Sequence, residues 1–161
     1  MNKRSIVIAA TLLFAFIAAT MAMAADDPFT GTWKLNAAKS KAPGGRLPHP
    51  RSTNVIEIQG ETVHLIADET DATGQPLHVE YTAVYGGKEY AVKQTPPSHE
   101  SYTISIKRIN LRTVEWVESI GKLIIKGQDI LSADGKSFSR VANGKDADGH
   151  DISIIQFFEK Q

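Results

Sequence analysis

The chain reads as an all-β protein, an antiparallel up-and-down meander closed into a barrel of eight to ten strands. Three observations predict this. Beyond the N-terminal segment the sequence is rich in Val, Ile, Thr and Tyr, and glycine turns punctuate it at close spacing. Apolar and polar residues alternate with a period of two in one segment after another, the pattern of strands with one buried face. Nearly every link between these segments is hairpin length, which suits a meander; a Greek key needs at least one long return. Short strands with regular turn signals and no sustained helical stripe belong to sandwiches and barrels.

The first element is a leader. Lys3 and Arg4 precede an apolar run from Ile6 to Ala19 broken only by Thr11, and Ala22-Met23-Ala24 supplies a small-x-small cleavage pattern. Asp26, Asp27 and Pro28 then end any helix. The run is short of the about 20 apolar residues that a membrane span needs. Residues 1–24 are therefore expected to be a signal peptide cleaved after Ala24, leaving one domain over 25–161 in a periplasmic or extracellular setting. The sequence has no cysteine, so the exported fold must hold by its core alone, without disulfides. Without the leader the chain has 16 basic and 18 acidic side chains. That balance lacks the basic excess of a nucleic-acid binder.

Ten candidate strands follow in order: 31–35, 53–59, 62–69, 77–85, 89–94, 101–109, 113–118, 122–131, 137–142 and 151–159. Gln59-Gly60-Glu61, Gly86-Gly87-Lys88, Ile120-Gly121-Lys122 and Asp134-Gly135-Lys136 carry turn chemistry between them. The one long irregular link is 36–52. A helical turn fits Asn36 to Lys41, after which Pro43-Gly44-Gly45 and Pro48-His49-Pro50 exclude regular structure. This link holds Lys39, Lys41, Arg46 and Arg51 and no acid. A solvated basic loop is the plainer reading and a charged lid over a pocket mouth the functional one. A weak internal echo also appears at a displacement of 75 residues, relating 52–85 to 127–160.

Alternation assigns the faces. Leu77, Val79, Tyr81, Ala83 and Tyr85 share one side of their strand; Tyr102, Ile104 and Ile106, Leu123 and Ile125, and Ile152, Ile154 and Phe158 do likewise. With Ile56, Ile58, Val63, Leu65, Val114, Trp116 and Phe138 they are expected inside. The same parity sends Arg108, Glu118, Arg140 and Gln156 inward. A buried charge is costly unless paired or solvated. Arg108 and Glu118 suit the rim, near strand ends, whereas Arg140 is mid-strand.

Phe29-Thr30-Gly31-Thr32-Trp33-Lys34-Leu35-Asn36, with Lys39-Ser40-Lys41 after it, resembles the opening of the lipocalin-like proteins exported by many bacteria, a largely uncharacterised calycin-type family. Val79-Glu80-Tyr81-Thr82, Tyr85-Gly86-Gly87-Lys88, Ile106-Lys107-Arg108-Ile109 and Arg112-Thr113-Val114-Glu115 extend the resemblance along most of the chain. The resemblance implies that Gly31 and Trp33 close the barrel floor. It also implies that Trp33 packs on a basic residue, for which Arg140 and Lys160 are the candidates; the last strand lacks the usual arginine. Ten strands would look more like the intracellular fatty-acid-binding relatives, which hold an acyl carboxylate with inward arginines.

No G-x-S-x-G, zincin or P-loop pattern occurs. His49, His64, His78, His99 and His150 show no metal-site spacing, and Asp146-x-Asp148-Gly149 reads as a turn rather than a calcium loop. No metal, other cofactor or nucleic-acid partner is expected, and no catalytic residue can be named. Two functions remain. One is an exported carrier for a small apolar or amphipathic molecule, with Arg140, Gln156, Tyr81, Tyr102 and Trp116 as candidate ligand contacts. The other is a structural or protein-interaction module with a filled core.

Overall fold

The computed structural model describes residues 26–97, 100–145 and 149–161. The expected leader and its cleavage site lie outside these residues. The described chain forms one antiparallel sheet of eleven strands: β1 (Gly31–Leu35), β2 (Arg51–Gln59), β3 (Thr62–Thr70), β4 (Pro76–Val84), β5 (Glu89–Ala91), β6 (Lys93–Thr95), β7 (Tyr102–Asn110), β8 (Thr113–Ile120), β9 (Leu123–Leu131), β10 (Ser137–Lys145) and β11 (Asp151–Lys160). Their spatial order is β5-β7-β8-β9-β10-β11-β1-β2-β3-β4-β6. Sequential strands are neighbours nearly throughout, and β1 joins the last strand to the first hairpin, so the sheet rolls into a nearly closed up-and-down barrel.

The strand number corrects the expected eight to ten. The segment expected as one strand over 89–94 is broken at Val92 because it lies at the seam and changes partner halfway. Its first part, β5, pairs with β7, and Val92 donates its N–H to the Tyr102 carbonyl (2.9 Å). Its second part, β6, pairs with β4. At the lower end of the seam Gly86 and Gly87 both donate to the Ile106 carbonyl, at 3.1 and 2.9 Å.

Every residue expected inside from the alternation is buried or half-buried. The 75-residue echo also has a structural counterpart: the displacement carries β3 onto β10 at both ends and β4 onto β11 at its start.

The floor of the barrel lies where β1 begins, and its core is aromatic. Trp33, Phe138 and Phe158 are among the largest fully buried side chains. Phe138 stacks on Phe158 with centroids 4.7 Å apart and meets Trp33 edge-on at 5.0 Å. Trp33 donates its Nε1–H to the Phe29 carbonyl (2.8 Å), tying the segment before β1 under the barrel. Lys160, one of the two candidates, is the basic partner of Trp33: its Nζ lies 5.0 Å from the ring centroid. The Lys160 stem crosses over Gly31, where a Cβ would come within 2.7 Å of Cε, and Gly31 has φ +136°. Gly31 is required for its backbone conformation, whereas the flexible end of Lys160 could give way to a Cβ. Arg108 closes the neighbouring part of the floor by pairing with Asp27, donating to the Tyr85 hydroxyl (2.7 Å) and covering the Tyr85 ring (4.5 Å).

At the other end, the link between β1 and β2 is partly ordered by short 3-10 turns at Ala37–Lys39 and Pro43–Gly45. The helical turn expected over 36–41 is therefore present in shortened form. Segment 43–45, expected to be irregular, makes a tight turn in which Gly44 supplies φ +66°. The link is strapped to β11: Lys41 and Ile155 exchange backbone hydrogen bonds (2.7 and 2.8 Å), and Phe157 donates to the Ser40 hydroxyl (2.9 Å). Leu47 packs onto the core. The segment is thus anchored to β11, while Lys39, Lys41, Arg46 and Arg51 stay exposed, as expected of a solvated basic loop.

Candidate functional site

Alternation along β3, β4, β7, β8, β9, β10 and β11 turns a set of polar side chains into the barrel above the aromatic floor. Arg140 stands one inward position above Phe138 on β10, opposite Gln156 on β11 and Asp129 on β9. Its guanidinium binds the Asp129 carboxylate in a bidentate pair, Nε to Oδ1 at 2.9 Å and Nη2 to Oδ2 at 2.8 Å. Asp129 Oδ1 also accepts from Trp116 Nε1 (2.9 Å). Arg140 lies 5.5 to 5.9 Å from the ring centroids of Trp116, Phe138 and Phe158, so aromatic faces surround the cation. Burial works against its charge, but Asp129 outweighs it and makes the guanidinium still harder to deprotonate.

Trp116 reaches this position because β9 is flat beside it. A Cβ at Gly127 would come within 2.3 Å of Trp116 Cζ2 and 2.4 Å of the Val141 carbonyl, so only glycine admits the indole there.

A second group converges higher in the barrel. Glu118 on β8 faces inward, level with Ile104 of β7 and Ile125 of β9, near Tyr102 of β7, and Tyr81 of β4 is close enough to both Arg140 and Glu118 to feel their charge. Burial raises the Glu118 carboxyl above its ordinary 4.5, with Arg140 opposing. Burial also pushes both phenols up, and the Glu118 charge adds to the effect on Tyr102. Near the floor, burial pushes Tyr85 up to about 12. Glu118 is half-buried and lies two residues from the end of β8, in keeping with the rim position expected for it, with its side chain on the inward face.

The Glu118 shift has a consequence for stability. A carboxyl that binds its proton more tightly folded than unfolded weakens the fold as pH rises from about its ordinary value through its folded one. The groups facing it are Arg140, Tyr102, Glu69 and Asp129. Glu118→Gln is therefore expected to gain stability relative to the parent as the pH rises above 4.5, measured as urea midpoints across neutral pH. A constant difference between the two proteins at all pH values would contradict this.

Several polar tips have no partner in the protein. Among the described residues no hydrogen bond reaches the Tyr81 hydroxyl or the Gln156 side-chain amide, although Gln156 is only 8% exposed. Asn54 on β2 is 1% exposed, and its Nδ2 is unpaired while Oδ1 lies 2.9 Å from the Ser52 hydroxyl. Ser52 Oγ also lies 2.9 Å from Glu69 Oε1, and His49 of the link between β1 and β2 approaches Glu69 at 3.5 Å. Around the upper interior Leu77, Tyr102, Ile125 and Ile154 remain half-buried, in contrast to the sealed floor.

The structure thus brings Arg140, Gln156, Tyr81, Tyr102 and Trp116 into one interior, while Gly31 and Trp33 sit together at the floor. Arg140 does not stack on Trp33; Lys160 does. The residue that sequence reasoning missed is Asp129. The signal was present, since the period that places Leu123 and Ile125 inside continues to Gly127, Asp129 and Leu131. Asn54 follows in the same way from Ile56 and Ile58.

Two concavities open on the outside: one of about 360 Å³ on the outer face of β8–β10 and one of about 680 Å³ along the link between β1 and β2. Neither is lined by Arg140, Glu118 or the unpaired interior groups. Outer-face histidines pair locally: His64 with Glu80 (3.1 Å) and His78 with Asp68 (2.7 Å). Among the described residues no group of three or more His, Asp or Glu could hold a metal ion, and no helix is long and apolar enough to cross a membrane.

No protein-family model matches the sequence, and no curated protein matches it. Solved structures do. A redesigned β-barrel, b11L5F_LGL, superposes with a TM-score of 0.50 at 14% identity, covering 83% of this chain and 92% of its own. EF1p2_mFAP2b bound to DFHBI gives a TM-score of 0.48 at 14% identity, covering 83% and 94%. A redesigned barrel, mFAP1, bound to DFHBI gives 0.45 at 13%, covering 83% and 95%. At such identities the first likeness establishes the barrel fold and carries no information on what this chain binds.

Proposed function

We propose that the protein is an exported, lipocalin-like carrier that holds a small apolar or amphipathic molecule inside the barrel. The observation that carries this reading is the asymmetry of the interior. The floor is sealed by Trp33, Phe138 and Phe158, whereas the upper interior combines half-buried Leu77, Ile125 and Ile154 with polar tips on Tyr81 and Gln156 that nothing in the protein satisfies. Buried polar groups are ordinarily hydrogen-bonded. An apolar wall with a few convergent polar groups is the usual make-up of a small-molecule site. The floor under Trp33 and Lys160 suits a cup closed at one end. The charged start, apolar run and Ala22-x-Ala24 pattern support export.

The test is a titration with N-phenyl-1-naphthylamine, an apolar uncharged dye whose emission rises in apolar surroundings. Saturable binding to the parent is expected, weakened about ten-fold or more by Ile154→Glu, which puts a charge into the apolar wall. The outward Ile124→Glu should bind as the parent does. Absence of saturable binding would favour the filled-core interpretation instead.

A further inference from the structure

The inward charges do not balance, and the imbalance identifies the kind of head group this interior accepts. Arg140 is the one inward cation above the floor among the described residues, and Asp129 claims it through two parallel hydrogen bonds. This pairing takes two of the five guanidinium N–H donors and balances the charge of Arg140. Glu118 is then left on the inward face, level with Ile104 of β7 and Ile125 of β9 in the ladder, and has no ion-pair partner among the described residues. Glu69 adds a further carboxylate, on Ser52 and on His49 of the link between β1 and β2. An anionic head would therefore meet more inward acid than inward cation, with the charge of Arg140 already balanced by Asp129.

Rims and acidic clusters are common on proteins, but two other features point to an occupant. Gln156, 8% exposed, turns an unpaired amide inward beside Arg140, and Asn54, 1% exposed, leaves its Nδ2 unpaired on β2, two strands away. These amides, with the Tyr81 hydroxyl, offer neutral hydrogen-bonding groups to a polar ligand end. Tyr81 and Tyr102 also present aromatic rings near the carboxylate, and a ring face attracts a cation.

Resting on the reading that the interior holds an amphipathic molecule, we infer that the ligand is an amphipathic amine whose ammonium group seats on Glu118 between Tyr102 and Tyr81, with its apolar body against Ile104, Ile125 and Ile154. Each donor of the ammonium meets an acceptor: the Glu118 carboxylate, a phenol oxygen, or the Gln156 amide oxygen. Arg140 acts as a wall member, held by Asp129, and does not meet the head group.

The experiment displaces bound N-phenyl-1-naphthylamine with three decyl compounds of equal tail length: decylamine, decanol and decanoate. With the parent protein, decylamine is expected to displace the dye at about ten-fold lower concentration than decanol, the gain from a hydrogen bond to a charged partner, and decanoate should be the weakest. Glu118→Gln should bring decylamine to the level of decanol. Glu115→Gln, on the outward face of the same strand, should keep the parental order. Decanoate displacing the dye as well as decylamine would overturn the inference and leave the carrier reading standing, as would an undiminished amine preference in folded Glu118→Gln. Failure of the dye to bind the parent at all would overturn the carrier reading and the inference with it. The comparison of the three compounds needs no variant, so it decides the matter even if Glu118→Gln does not fold.

Discussion

Asp129→Ala is expected to destabilise the protein by about 3–5 kcal/mol, the cost of removing one partner from a buried ion pair. Asp129 supplies both acceptors for the Arg140 guanidinium and the acceptor for Trp116 Nε1. Its loss strands a cation among three aromatic rings and leaves a buried indole N–H unpaired. Neither group can turn to water without leaving its strand face. The double variant Asp129→Leu with Arg140→Met should recover most of the loss, because an apolar pair of similar volume removes the desolvation cost with the charges. Urea denaturation of the single and double variants checks this. A single variant as stable as the parent would mean that Arg140 is solvated or otherwise paired.

Trp33→Ala is expected to cost a similar amount, about 3–5 kcal/mol, the range for deleting a large buried aromatic. Trp33 is 0% exposed and joins four parts of the floor: the edge of Phe138, the Phe29 carbonyl, the Lys160 ammonium and the backbone of β2. The surrounding rings belong to strands fixed by ladders on both sides, so the cavity cannot collapse, and collapse is what lowers the cost at other sites. Thermal or urea midpoints are the measurement. An unchanged midpoint would contradict the placement of Trp33 at the floor.

Much of the barrel was legible in the sequence, because each of its devices is local. Period-two alternation set the inward face of every long strand, and Gly60, Gly86-Gly87 and Gly121 marked the hairpins. The break at Val92 was not legible. Nothing in residues 89–95 distinguishes a continuous strand from one that changes partners, since the reason lies in how the two edges of the sheet meet. The interior network was half legible. Parity placed Arg140, Gln156 and Glu118 inside from their own strands. The pairing of Arg140 with Asp129 depends on the β9–β10 register, which sets those two residues opposite each other. The half-burial of Glu118 was legible from its place near the end of β8. The link between β1 and β2 was legible as an interruption through Pro43, Gly44 and Pro48, but its strapping to β11 is a long-range contact that no local pattern encodes.

The central claim is that a small molecule enters the barrel above the floor. The chain has two tryptophans, so a ¹⁵N-labelled sample gives two indole N–H signals, one above the floor and one within it. Titration with N-phenyl-1-naphthylamine should shift the Trp116 signal, whose donor lies on Asp129 in the upper interior, and leave the Trp33 signal, buried against Phe29, in place. Two unmoved indoles with shifts confined to outward residues such as Val117 and Val141 would contradict the account and place the dye on the outer face of the sheet.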